Sequence, residues 1–111
     1  FFKGLINLIL LNIINNPIKS IESDCFINLA RFDYFYEHEL KLNNLKLVKL
    51  SPNSFRGLEN FKTVLDLSHN QLNSIKKFYL KNFILIRELR LSYNLISLIE
   101  NYSFSEMTEL E

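Results

Sequence analysis

A single interval governs this chain. Asn70 and Asn94, Leu65 and Leu89, Leu67 and Leu91, Leu72 and Ile96, and Ile75 and Ile99 all lie 24 residues apart. The stretch VLDLSHNQLNSI at 64–75 is therefore written again as ELRLSYNLISLI at 88–99. A period in the twenties constrains the fold strongly, because a unit that short cannot bury its own apolar face and must stack on neighbours. Further copies are present. Leu8, Leu11, Ile13, Asn16, Ile18, Ile21, Phe26 and Leu29 follow the order of Ile86, Leu89, Leu91, Asn94, Ile96, Ile99, Phe104 and Met107. A degenerate copy carries Leu40, Leu42, Leu47, Leu50, Phe55 and Leu58 at matching steps, with Leu45 where the Asn should stand.

The template has a physical reading of its own. In Leu-x-Leu both side chains share one face of a strand, since side chains alternate at period 2. The chain must then turn, and the turn leaves backbone groups facing inward. An Asn side chain, with two donors and an acceptor, can satisfy them. Asn16, Asn70 and Asn94 are the candidates for that ladder. The apolar residues after each Asn carry the core around the bend and back, one coil per period.

The shared pattern L-x-x-L-x-L-x-x-N-x-L-x-x-L-x4-F-x-x-L resembles the leucine-rich repeat. The resemblance covers essentially the whole chain as one array of about four units, approximately 5–28, 29–57, 58–82 and 83–106. It implies an α/β solenoid, with a short-stranded parallel sheet on the concave face and irregular or short helical convex segments. Phe2, Phe26, Phe55 and Phe104, with Leu80 once, stand where a subclass similar to Toll-like or Slit-like arrays keeps a phenylalanine spine. That subclass is found mostly in animal cell-surface and secreted proteins. The resemblance implies a scaffold presenting a curved surface to a protein ligand or co-receptor, in the extracellular or cell-surface ectodomain of a receptor or secreted adhesion protein. The alternative is an intracellular, cytoplasmic leucine-rich repeat adaptor. Phe2 and Leu5 read as the tail of a preceding coil, and Phe104, Met107 and Leu110 lead into another. The expectation is a fragment without caps, flanked by further leucine-rich repeats of the same parent chain.

Side chains between the core leucines point out of the concave face. One row reads Asn12, Lys41, Asp66, Arg90; the row just before the Asn letter reads Asn15, Asn44, His69, Tyr93. Arg90 and Tyr93 lead the contact candidates, because such side chains are enriched where interfaces hold their energy. The other reading of Lys41, Asp66 and Arg90 is a ladder of cross-strand ion pairs. From Phe32 to Leu40 the step is 8 where Ile86 to Leu89 is 3, so five residues are inserted. Within them Tyr34, Phe35 and Tyr36 either form a protruding contact loop or tuck back over the irregular coil. A different register would make Phe35 a core strand letter. A smaller slip of one residue lies between Phe61 and Leu65.

Composition narrows the functional classes. A net charge of +1 speaks against a nucleic-acid or membrane-surface role, both of which need a clustered basic face. Lys76, Lys77 and Lys81 read as a solvated cluster. The apolar start is interrupted by Asn7, Asn12, Asn15 and Asn16, so no direct membrane insertion by this segment is expected. One Cys and two His residues, His38 and His69, do not make a zinc site of the usual kind. No Gly-rich phosphate loop is present, and neither catalysis nor a cofactor is expected. Cys25 reads as a buried thiol acting as a small hydrophobe, or as one half of a disulfide to another part of the parent. Asn101-Tyr102-Ser103 is a glycosylation sequon, on the outer rim if the protein is exported.

Overall fold

The computed structural model describes residues 10–27 and 39–111. Strands β1 (Leu10–Asn12), β2 (Glu39–Lys41), β3 (Val64–Asp66) and β5 (Glu88–Arg90) form a parallel sheet in the order β1-β2-β3-β5. A second sheet pairs β4 (Ser74–Ile75) in parallel with β6 (Leu98–Ile99). The register obeys the repeat arithmetic. Leu11, Leu40, Leu65 and Leu89 stand side by side, and Asn12, Lys41, Asp66 and Arg90 form the adjoining column. Parallel neighbours cannot be joined by a hairpin, so the rest of each period crosses back over the core before the next strand begins.

Alternation sends the leucine column inward. In the two middle coils the burial is complete: Leu40, Leu42, Leu47 and Leu50, then Leu65, Leu67, Leu72 and Ile75, are all buried, each worth roughly 2 kcal/mol relative to exposure. The last coil is less covered. Ile99 is 51% exposed where Ile75 is 0%, and Leu89, Leu91 and Ile96 are only partly buried. The ladder is still in phase at the final residue. Glu111 N–H donates to Arg87 O at 3.0 Å, as Arg87 N–H donates to Thr63 O at 3.1 Å one period earlier.

The β4–β6 pairing is absent from the sequence reading. Leu72 and Ile75 both point inward three residues apart, a spacing that a uniformly extended strand forbids, so the chain bends between them and extends only at Ser74–Ile75, where its backbone reaches the neighbouring coil. Ser97 N–H donates to Asn73 O at 3.0 Å and Glu100 N–H to Ile75 O at 2.9 Å. An isolated parallel bridge between Ser20 and Lys49 continues the pattern in the earlier coils. The return segments hold turns, and no helix occurs among the described residues.

Behind the sheet the aromatic rings follow a path different from the expected spine. Phe26 stacks on Phe55 at 6.1 Å, Phe55 meets Phe83 at 4.8 Å, and Phe61 meets Phe83 edge-on at 6.1 Å. Leu80 is buried and Phe104 only partly so. The template has two inward letters here, three residues apart, and where the first is Leu80 the ring at the second, Phe83, fills the space. Phe2 lies outside the described residues.

Two kinds of small residue, glycine and serine, let the return segments approach one another. Gly57 has φ 102°, and a Cβ there would lie 2.6 Å from Phe26 O, so any other residue is strained and in collision. Serine hydroxyls form a second ladder: Ser54 Oγ donates to Ile21 O at 2.7 Å, and Ser103 Oγ to Ile75 O at 3.1 Å. Cys25 occupies the same slot before Phe26. It is partly exposed, which corrects the expectation of a buried thiol, because the turn at 23–27 that carries it has its outer side in solvent.

Candidate interaction surface

The side chains that alternate with the core leucines leave the sheet on its other face. Asn12, Lys41, Asp66 and Arg90 run across four strands in register. Val64 and Glu88 precede this column by two residues, and Ile14 and Asn43 follow it by two, all on the same face by alternation. Ile14, Lys41, Asn43, Val64, Asp66 and Arg90 line an open cleft of about 520 Å³. Its wall is mixed, with apolar Ile14 and Val64 between charged groups.

Two members of the column also hold the strand ends. Asn12 Oδ1 accepts the Ile14 N–H at 3.2 Å. Asp66 Oδ1 accepts the Ser68 N–H at 2.9 Å and its hydroxyl at 2.6 Å. A short acceptor side chain two residues before a turning N–H makes this Asx turn, so one Asp66 oxygen is committed within its own coil. The other lies 3.9 Å from Arg90 Nη1. Arg90 has a nearer partner in Glu88, whose Oε1 is 2.5 Å from its Nε. That hydrogen bond, and then the charge of Glu88, hold the guanidinium above its ordinary value. The expected cross-strand ladder is therefore secondary at this end to a pair within β5. Glu88 was legible in Glu-Leu-Arg, since residues two apart on a strand share a face.

The second row carries a backbone feature invisible in the letters. Asn15, Asn44, His69 and Tyr93 have φ of 62°, 57°, 53° and 55°, a left-handed residue at the same place in each coil. The reversal aims the first three N–H groups along the stack: Asn15 donates to Asn44 O at 3.1 Å, Asn44 to Ser68 O at 3.1 Å and His69 to Ser92 O at 2.9 Å. Asn tolerates this conformation and Tyr takes it up at a cost. The side chains pair along the same line. Asn44 Nδ2 donates to Asn15 Oδ1, and the His69 ring stacks on Tyr93 with centroids 4.4 Å apart and planes at 14°. Tyr93 is 77% exposed and stands at the rim of the face.

Beneath this row lie the asparagine amides. Asn70 is buried; its Oδ1 accepts the N–H groups of Leu45 and Leu47 at 3.1 and 3.0 Å, and its Nδ2 donates to Leu42 O and Leu67 O, both at 3.0 Å. Asn94 likewise serves the coil before its own, accepting from Leu72 N–H at 3.0 Å and donating to Leu67 O at 2.9 Å. Asn16 donates to Ile13 O and Ile14 O in its own coil. Leu45 has no amide with which to reach back. The Ile18 N–H, the counterpart of Leu47 and Leu72, donates instead to Asn16 O at 2.9 Å.

Asn101 is exposed on the return side, away from this face, while Ser103 of its sequon is buried. Tyr34, Phe35, Tyr36 and His38 lie outside the described residues. Leu40 is in register with Leu11 and Leu65 and buried, so it is the inward letter of β2. Among the described residues no three His, Cys, Asp or Glu side chains gather as a metal site, and no helix is long and apolar enough to cross a membrane. Residues 62–111 match the family model for the leucine rich repeat. No curated protein shows a significant match to the chain.

Proposed function

For a chain that belongs to the leucine-rich repeat proteins, whose domains generally mediate protein–protein interaction, we propose that the outer sheet face is the concave docking surface of a solenoid and takes a protein ligand or co-receptor. The carrying observation is the in-register column Asn12, Lys41, Asp66, Arg90, of which Lys41, Asp66 and Arg90 line one open cleft. A rigid parallel sheet holds these side chains at fixed spacing, so little ordering cost remains for binding. Arg90 and the exposed Tyr93 are the anchors. Further leucine-rich repeats of the parent chain extend the surface on the ladder that Glu111 continues.

The chain is part of the ectodomain of a cell-surface receptor or secreted adhesion protein. The phenylalanines stacked behind the sheet and the sequon at Asn101 support that reading. The second reading is an intracellular leucine-rich repeat adaptor. A photo-crosslinking residue placed at Tyr93 in the parent protein tests the docking face. It captures a protein partner, and Arg90→Ala abolishes the capture; equal capture from a probe at Lys81 on the return side would refute the assignment. Protease shaving of intact cells decides the compartment: an epitope beside the repeats is lost if they are outside and survives if they are not.

A further inference from the structure

On the return side, Phe78 and Tyr102 hold equivalent positions 24 residues apart, and both adopt positive φ, 73° and 63°. Bulky side chains seldom take up that conformation. Here it turns both rings away from the core, leaving Phe78 48% and Tyr102 74% exposed. Lys77 joins them, its Nζ 4.8 Å from the Phe78 centroid and 5.8 Å from that of Tyr102. Asn101 is the counterpart of Lys77 one period later and is exposed, so its side chain leaves the turn beside this group. Ser103, which completes the sequon, is buried, its hydroxyl donating to Glu100 O at 2.7 Å and Ile75 O at 3.1 Å. An enzyme that must read that hydroxyl cannot reach it in the folded chain.

We propose that Asn101 is an N-glycosylation site filled before its coil closes, and that the Phe78–Tyr102 pair is the platform on which the first N-acetylglucosamine packs. The inference rests on the export reading above. In the transfer, Asn101 Nδ2 bonds to C1 of the sugar of a lipid-diphosphate-linked oligosaccharide. The C1–O bond breaks, the lipid diphosphate departs with its electron pair, and one amide proton passes to a base of the transferase. Ser103 then turns its hydroxyl to the two carbonyls as the coil docks. The apolar face of the pyranose ring covers ring surface that is otherwise in water.

Translating the chain behind an added secretory signal into microsomes tests the site wherever the parent protein resides. The nascent chain gains the mass of one glycan, removable by a glycosidase; Asn101→Gln gains none, and folded chain given the same transferase and donor stays unmodified. No mass shift on the nascent chain, or equal modification of the folded chain, overturns the site. Trimming to a single N-acetylglucosamine isolates the platform. That form melts about 4 °C above Asn101→Gln, and the margin disappears in Tyr102→Ala and in Phe78→Ala, both of which still carry the sugar. Equal melting of the sugar-bearing chain and Asn101→Gln overturns the platform. A chain modified in microsomes while the parent stays inside cells counts against the export reading alone.

Discussion

Asn70 is one side chain serving five backbone groups in two coils, and none of its partners can turn to solvent once the coils close. Removing the amide leaves inward N–H and C=O groups unpaired, each costing about 1–3 kcal/mol. Asn70→Ala is expected to lower stability in a urea titration by roughly 3 kcal/mol. Asn94→Ala costs less, since that residue is only partly buried, and Asn16→Ala least, since it is exposed. Equal losses at all three would show that the amides do not act through burial. Gly57 is a second single-residue constraint. Alanine there meets the Phe26 carbonyl and must hold φ 102°, so Gly57→Ala is expected to cost about 3 kcal/mol; a neutral result in the same titration would contradict the closeness of the two turns.

At the scale of one element, the coil that begins at β2 departs most from the template. Leu45 is buried and supplies volume where its counterparts supply hydrogen bonds. Leu45→Asn would restore an amide within reach of the first coil, offsetting part of the lost burial. It is expected to be at least ~1 kcal/mol less damaging than Leu45→Ala, which loses the apolar volume without compensation. Thermal denaturation of both variants decides this. On β5, Arg90 is outside the core and its pair with Glu88 is exposed and screened. Arg90→Ala is therefore expected to leave the melting temperature unchanged while abolishing partner capture. A large drop in melting temperature would make Arg90 a structural residue.

Across the whole molecule, coverage falls from the middle coils toward the last. Leu65, Leu67, Leu72 and Ile75 are sealed between neighbours, whereas Ile99 is half exposed. Protection from hydrogen exchange tracks such coverage. The amides of Leu67 and His69, bonded to the next coil, are expected to exchange slowest, and those of Ser97 and Glu100 at least tenfold faster. Uniform protection would mean that the coils open together as one cooperative unit.

The interval of 24, the Leu-x-Leu strands and the Asn after them were enough to specify which residues face inward and which strands adjoin. Each of these depends only on side-chain alternation and on the need of short units to stack. The same periodicity placed Asn12, Lys41, Asp66 and Arg90 in one row without any coordinates. Other features depended on neighbours that letters do not name. The left-handed φ shared by Asn15, Asn44, His69 and Tyr93 lets the first three aim an N–H at the next coil, a need that unlike side chains meet equally. The turn of Arg90 toward Glu88 rather than Asp66, the detour of the ring stack through Phe83 and Phe61, and the partial exposure of Cys25 were settled by packing, where distance between coils and access of water decide among partners that the sequence leaves equivalent.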